Sequence, residues 1–243
     1  MAGGSALPGS GHLDDRQRRV HRSPLLFTAP VILLGLLSCL AVWEVLRGNL
    51  SPSTRETWPW RFSALNQEAL ASLLAVSLGF VFARAQYSRA ARPIIGWSGL
   101  ASSDTHSMNS KFVWIVRILN GGMHSAILER VDYHVQPKGE QVSAADIEWY
   151  GYTTVVAELE SLGLQIGKDF YLNPIGAGSP LGISSEHKSL TAARLSIPAL
   201  SLLDNIYIRV RVTDAVGDSH ERILHCLRGA EIEIRSALAA DEQ

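Results

Sequence analysis

The sequence is poor in cysteine and lysine. It has only two cysteines, Cys39 inside a long apolar run and Cys226 in an alternating segment near the C-terminus, so no disulfide framework is expected. Four lysines stand against eighteen arginines, a composition that favours a bacterial source. The sequence also lacks a Gly-x-Ser-x-Gly nucleophile elbow and an HExxH helix, so we expect no catalytic residues.

Charge is divided unequally along the chain. Residues 1–92 carry ten arginines and five acidic residues, a net charge of +5, and residues 93–243 carry twelve basic and eighteen acidic residues, a net charge of −6. A basic segment that flanks apolar helices suits an anionic membrane surface. An acidic globular segment argues against nucleic acid as a partner, because binding the phosphate backbone needs a basic face.

Two apolar runs predict membrane-spanning helices. The first, residues 25–46, has 22 residues, and at about 1.5 Å per residue it spans about 33 Å, enough for the roughly 30 Å hydrocarbon core of a bilayer. The second, residues 69–83, is uncharged for only 15 residues and needs its flanks to complete a span. The alternatives are a buried core helix, lipoprotein processing at Cys39, and a second helix that lies on the membrane surface.

Small residues at every fourth position of the second run predict a helix-packing ridge. Such residues let helices approach closely in lipid, where the hydrophobic effect does not drive association. Gly35 and Cys39 repeat the spacing on the first helix, and we expect the ridge to pack against them or against another copy, which would form a homo-oligomer. The ridge consists of Ala71, Ala75, Gly79 and Ala83.

The arginines that flank the runs predict the orientation. Four precede the first helix, three follow the second, and three lie in the loop between them, so both termini are expected in the cytoplasm of a multi-pass cell-membrane protein. Trp43, Trp58 and Trp60 are predicted to anchor the outer interface, because indole rings prefer the level of the lipid headgroups.

From Lys111 onward the alternation of polar and apolar residues predicts an antiparallel β-rich domain. The turn Asn120-Gly121-Gly122 predicts a hairpin between the first two strands. One inserted helix is expected before Gly163, with capping residues at Ser143 and Asp146. The layout is similar to that of the immunoglobulin class. Strands are expected near residues 112–119, 125–136, 170–172, 190–197, 206–212 and 222–227.

Three motifs could carry chemistry, and each has a simpler interpretation. The glycine-rich loop at 175–180 has no Lys-Ser/Thr after it, so a surface loop is expected rather than a phosphate cradle. Asp214 and Asp218 are too few for a Ca²⁺ cage, and a hairpin turn explains them. His225 and Cys226 point to opposite faces of a strand, so zinc is not expected. No cofactor and no metal site is predicted.

The predicted fold is a membrane α-hairpin of two transmembrane helices, followed by a soluble, mainly-β antiparallel sandwich with one helical insertion. The predicted segments are a flexible basic tail at 1–23, the first transmembrane helix at 24–47, a short outer loop at 48–63, the second transmembrane helix and its continuation at 64–91, a linker at 92–110, the soluble domain at 111–230 and a C-terminal tail at 231–243.

This organisation predicts a membrane-anchored binding protein without catalysis, whose cytoplasmic domain takes an unidentified protein or small-molecule ligand. In element order the layout is similar to the two-helix β-domain effectors of bacterial antiphage signalling. That resemblance implies an alternative, a membrane-perturbing effector whose β domain senses a ligand. A membrane-bound enzyme is the remaining alternative, and a polar pocket with convergent acids or histidines would support it.

Overall fold

A computed structural model gives the structure of the chain in two compact units. One unit lies within residues 22–91, and the other joins residues before 22 to those from 92 onward. The residues described are 15–21, 24–63, 65–104, 108, 110–140, 147–183 and 189–241.

The first unit is helical. It consists of α1 (Pro24–Gly48), α2 (Pro52–Arg55) and α3 (Gln67–Ala90), and α1 contacts α3. Asn66 begins α3, since its side-chain oxygen accepts a hydrogen bond from the Ala69 amide at 2.8 Å.

Both long helices of this unit are long and apolar enough to cross a membrane. The apolar stretches are Thr28–Gly48, with a mean hydropathy of 2.2, and Gln67–Ala90, with a mean hydropathy of 1.6. Within the chain, only 11% of the first apolar stretch and 6% of the second are buried. A core helix of a soluble domain would be mostly buried, so these two helices do not have that role here.

The second unit mixes β-strands with shorter helices. The helices are α4 (Tyr152–Ser161), α5 (Ile197–Leu202) and α6 (Ala230–Asp241). The strands are β1 (Arg18–His21), β2 (Ile95–Ser102), β3 (Val113–Asn120), β4 (Ala126–Pro137), β5 (Phe170–Leu172), β6 (Pro180–Leu181), β7 (Leu190–Ser196), β8 (Leu203–Thr213) and β9 (Ser219–His225).

These strands form two antiparallel sheets. The five-stranded sheet has the order β1-β9-β8-β4-β6, and the four-stranded sheet has the order β2-β3-β7-β5. One hydrophobic core takes side chains from both sheets, for example Trp114 of β3 and Ile208 of β8. The Trp114 indole donates a hydrogen bond to the carbonyl of Cys226 at 2.8 Å, which links the two sheets across this core.

The strands predicted from alternation are confirmed in position, and so is the β8–β9 hairpin, but the predicted hairpin at Asn120 is wrong. β3 and β4 belong to different sheets, so the chain passes from one sheet to the other at this point. Neither Gly121 nor Gly122 has the positive φ that a type I′ turn needs. The Asn120 side chain instead accepts hydrogen bonds from the amides of Ile94 and Gly122 and donates to the carbonyl of Leu181.

Three segments predicted to be irregular contain regular structure. The predicted linker holds β2, which pairs with β3 along all of its eight residues. Within the predicted N-terminal tail, the described part from residue 15 holds β1, and the predicted C-terminal tail holds most of α6. The predicted caps Ser143 and Asp146 lie outside the described residues, and α4 begins after Gly151.

Candidate functional site

Two of the three predicted interface tryptophans come together in the helical unit. The rings of Trp43 and Trp60 stack with centroids 4.7 Å apart and an interplanar angle of 12°. The Trp43 indole also donates a hydrogen bond to the carbonyl of Phe62 at 3.2 Å. Trp58 is 89% exposed. The stacked pair therefore ties the end of α1 to the segment that leads into α3.

The predicted small-residue ridge lies on the exposed side of α3. All four of its residues are exposed, and the buried positions of α3 are Leu70 and Ser77. A Cβ added at Gly79 or at Gly35 would meet nothing within 4 Å. Gly35 and Cys39 of the first helix are exposed as well.

A polar network closes the loop end of the helical unit. Glu44 is buried, and its carboxylate lies 3.1 Å from Arg47 Nη1 and accepts a hydrogen bond from the Ser63 hydroxyl at 3.2 Å. Arg47 Nε donates to the carbonyl of Trp60 at 2.7 Å. Arg55 donates from Nε to the carbonyl of Leu50 at 3.0 Å and from Nη2 to the carbonyl of Gly48.

Beside this network is a cavity of about 230 Å³, which we call the loop-end cavity. Six of its eight lining residues have polar or charged side chains, so it suits a polar occupant. Its lining consists of Glu44, Arg47, Gly48, Arg55, Ser63, Leu65, Asn66 and Gln67.

A larger cavity, of about 440 Å³, lies in the β-rich unit between α5, α6 and the start of β8. We call it the α5–α6 groove. Ser196 begins α5, because its hydroxyl accepts a hydrogen bond from the Ala199 amide at 3.3 Å. The chain turns into α6 at Gly229, whose φ of 87° is in the left-handed region that favours glycine.

The α5–α6 groove combines an apolar floor with a charged rim. Its buried floor residues are Leu203, Leu227, Ala230 and Ile234. On the rim, Arg235 lies 2.9 Å from Glu231, and an Asp204 oxygen accepts a hydrogen bond from the Gly139 amide at 3.1 Å. The volume is within the roughly 300–1,000 Å³ of typical small-molecule sites, which are mostly apolar with a few polar groups that fix orientation.

The outer face of the five-stranded sheet carries a second cluster of polar and aromatic side chains. Asp132 is buried between Arg130 Nε at 2.6 Å and Arg209 Nη2 at 2.6 Å. The Arg209 guanidinium lies 4.6 Å from the ring centroid of Trp149. Because Asp132 is already paired with two arginines, we interpret this cluster as one that stabilises the sheet rather than as a binding site.

Two more carboxylates on that face are held in their ionised form. Burial by itself raises the pKa of Glu221, but hydrogen bonds and charges from Arg18 and Arg211 outweigh burial and lower it. Burial also raises the pKa of Glu129, and hydrogen bonds from Thr213 and Ser219 outweigh it and lower that pKa. A general acid at neutral pH needs a raised pKa, so neither group is suited to that role.

The residues weighed for metal binding serve structural roles. In the β8–β9 turn, Asp214 accepts hydrogen bonds from the amides of Val216 and Asp218 and lies 3.0 Å from His220 Nε2. His225 belongs to the outer face, and Cys226 is buried in the core, where burial raises the pKa of its thiol. Among the described residues, no group of three or more His, Cys, Asp or Glu side chains is placed to hold a metal ion.

The glycine-rich loop at 175–180 is hydrogen-bonded through its backbone to strand β4. The Gly178 amide donates to the carbonyl of Leu128, and the Leu128 amide donates to the carbonyl of Ser179. These bonds lead the chain into β6, so the Gly178 amide does not point to a phosphate.

Sequence reasoning missed both cavities. The α5–α6 groove depends on α6, which was expected to be a tail, and the only sequence signal was the helical spacing of its apolar residues Ile234 and Leu238. A comparison of the chain with protein-family models finds no matching family, and a comparison with curated proteins finds no match.

Proposed function

We propose that this chain is a membrane-anchored binding protein. In this proposal α1 and α3 cross the bilayer as a helical hairpin, and the β-rich unit is a sandwich that takes a ligand in the α5–α6 groove. The side chains that α1 and α3 expose support insertion, since Leu36, Val76 and Phe80 are each more than half exposed. Such apolar helix surfaces are stable in lipid, and a helix satisfies its own backbone hydrogen bonds there.

The pairing of β1 with β9 is the observation that carries this proposal. β1 ends at His21, before α1 begins at Pro24, and β2 begins at Ile95, after α3 ends at Ala90. Because both strands belong to the same unit, the chain must return to the side from which it left. Two crossings satisfy this condition, and a single crossing does not.

The β1 strand is firmly attached to the rest of its unit. Arg18 makes two hydrogen bonds to Glu221, at 2.6 and 3.1 Å, and Gln17 exchanges hydrogen bonds with the backbone of Pro93 and Ile95. The arginine distribution around the helices then supports the cytoplasm as the side of the β-rich unit.

The sandwich arrangement is supported by the core. Side chains of both sheets belong to one buried cluster, as expected when two antiparallel sheets pack face to face. On such a scaffold the α5–α6 groove offers a cavity of about 440 Å³, and its lining suits a ligand that has an apolar body and charged ends.

Ser201→Trp tests the groove as the binding site. Ser201 is an exposed residue of the groove lining, and an indole at this position would fill the cavity. Small amphipathic compounds are screened by their effect on the Tm of the full chain in detergent. A compound at about 100 times its Kd adds about 2.7 kcal/mol, so we expect a rise of roughly 5–10 °C in the wild type and none in Ser201→Trp.

Ser236→Trp is the matched control, because Ser236 is an exposed residue of α6 that does not line the groove. It should respond to the compound as the wild type does. A compound that raises the Tm of all three proteins equally binds elsewhere and argues against the groove.

A further inference from the structure

The loop-end cavity has the size and polarity of a site for a compact polar group. Its volume of about 230 Å³ lies below the roughly 300–1,000 Å³ of sites that enclose drug-sized ligands. Polar side chains dominate the lining, and the Ser63 hydroxyl and the Gln67 amide are among them.

The charge of the lining favours an anion. Arg47 and Arg55 bring two positive charges, and Glu44 brings one negative charge, so the lining has a formal charge of +1. Glu44 is already engaged by Arg47 and Ser63. Arg55 donates to the carbonyls of Gly48 and Leu50, so the described residues leave its charge without a carboxylate partner.

Phosphate is the anion that this set of donors fits best. A guanidinium presents a planar fork of N–H donors that matches two phosphate oxygens, and charge-assisted hydrogen bonds of this kind are stronger than neutral ones. The cavity also lies next to the first turn of α3, where backbone N–H groups add a partial positive charge.

The position in the fold indicates the source of the phosphate. The cavity lies where α1 ends and α3 begins. In its lining, Glu44 directly follows Trp43 in the sequence, and Arg47 donates a hydrogen bond to the carbonyl of Trp60, which stacks on Trp43. Tryptophan prefers the interfacial level of a bilayer, where lipid phosphates lie. We propose that the loop-end cavity binds the phosphate of an anionic phospholipid headgroup. This inference rests on the proposed membrane insertion.

The test uses the full chain, reconstituted in vesicles of phosphatidylcholine mixed with phosphatidylglycerol. After extraction, native mass spectrometry measures the ratio of the two lipids that stay bound. The wild type should retain phosphatidylglycerol in excess over its share in the vesicle. Arg55→Gln should lower this enrichment about tenfold, because it removes a charge-assisted interaction with the phosphate.

Two further variants separate the cavity from general surface charge. Arg61→Gln removes the same charge from the same loop outside the cavity lining, and it should leave the enrichment unchanged. Glu44→Gln removes the only acid of the lining while its side chain still accepts from Ser63, and it should raise the enrichment. Equal effects of Arg55→Gln and Arg61→Gln, or no rise with Glu44→Gln, would overturn the proposal.

The remaining outcomes separate lipid phosphate from free phosphate, and they separate a failure of this inference from a failure of the proposed membrane insertion. Binding of inorganic phosphate in detergent, together with no preference for phosphatidylglycerol in vesicles, overturns the assignment to lipid. Retention of both lipids in their vesicle ratio also overturns it but leaves membrane insertion intact. If no lipid of either kind is retained, the proposed membrane function fails along with this inference.

Discussion

At the scale of single residues, Gly99 shows how one missing side chain shapes the core. It lies in β2 opposite Val116, and the indole of Trp114 occupies the space above it. A Cβ built at Gly99 would lie 1.9 Å from a ring carbon of Trp114. Trp114 itself is held by its hydrogen bond to the Cys226 carbonyl, so the ring is not free to move away.

Gly99→Ala should therefore destabilise the β-rich unit. Overpacking of a tight core typically costs about 1–3 kcal/mol, and thermal unfolding followed by tryptophan fluorescence would measure the loss. Gly96→Ala is the control in the same strand, since a Cβ there would approach Leu119 no closer than 4.0 Å. Equal loss in both variants would mean that strand propensity, and not the contact with Trp114, determines the requirement for glycine.

Glu221 is the residue for which pH matters most clearly. Its side chain is 1% exposed and lies between Arg18 and Arg211, which lower its pKa below the ordinary value of 4.5. A carboxylate with a lowered folded-state pKa contributes stability above its unfolded-state pKa, and this contribution is lost as pH falls through the folded-state value.

The Tm of the wild type should accordingly fall as pH drops below about 4.5. Glu221→Gln should lower stability at neutral pH by about 1–3 kcal/mol, because the buried carboxylate makes charge-assisted hydrogen bonds to Arg18 and Arg211 that a neutral amide replaces with weaker ones. It should also make the Tm fall less steeply as the pH drops below about 4.5, the part of the profile that we call the acid limb. Glu231→Gln removes a carboxylate whose side chain is 83% exposed and should change neither. An unchanged acid limb in Glu221→Gln would show that other groups control it.

At the scale of elements, the strands that were predicted correctly are those in which polar and apolar residues alternate. β4 and β8 alternate polar and apolar residues, and they lie where alternation placed them. β2 could not be recognised because its glycines and serines resemble a linker, yet Gly99 is needed under Trp114. The Asn-Gly signal failed because the Asn120 side chain serves a connection between sheets, which local sequence does not reveal.

The α5–α6 groove could not be predicted from the sequence for a similar reason. The groove needs Lys138, Leu200 and Ile234, which come from three separate parts of the chain. Their proximity follows from the packing of α5 on β8 and of α6 on α5, and neither spacing nor composition encodes it. The sequence placed Trp43 and Trp60 near each other at the loop end of the helices, but sequence motifs describe chemistry and not the shape of a cavity.

Two strands of the β-rich unit, β1 and β2, lie outside the predicted soluble domain at residues 111–230. β2 pairs with β3 over its whole length and contributes Ile95 to the core. We therefore expect residues 92–243 to show a cooperative thermal transition by circular dichroism and residues 111–230 to show none. A peptide of residues 15–21 should raise the Tm of the longer fragment by restoring β1, and a scrambled peptide should not. A cooperative transition in the shorter fragment would show that β2 is dispensable.

At the scale of the whole molecule, the helical unit is inserted between two strands of one β-rich unit. The chain enters the helices after β1 and returns from them before β2. All four residues of the small-residue ridge on α3 are exposed in the described chain, and a Cβ at Gly79 would meet nothing within 4 Å. This exposure leaves the ridge open to association with another copy of the chain, and the two-crossing topology does not depend on such association.

The topology itself can be measured by cysteine labelling in intact cells. Ser53→Cys places a thiol on the exposed α2, and Ser236→Cys places one on the exposed side of α6. If the helices cross the membrane twice and the β-rich unit is cytoplasmic, a membrane-impermeant maleimide should label Ser53→Cys in intact cells. It should label Ser236→Cys only after permeabilisation. Val20→Cys, on β1, should behave like Ser236→Cys because both belong to the same unit.

The parent chain provides the background for this measurement. Cys226 is buried with a raised pKa, so its thiol should not react. Cys39 lies in the apolar part of α1, which a membrane-impermeant maleimide does not reach if the helix is inserted. The reverse labelling pattern would place the β-rich unit outside the cell. Labelling of Ser53→Cys and Ser236→Cys under the same condition would mean that the helical unit does not cross the bilayer. Opposite behaviour of Val20→Cys and Ser236→Cys would contradict the pairing of β1 with β9, on which the two-crossing topology depends.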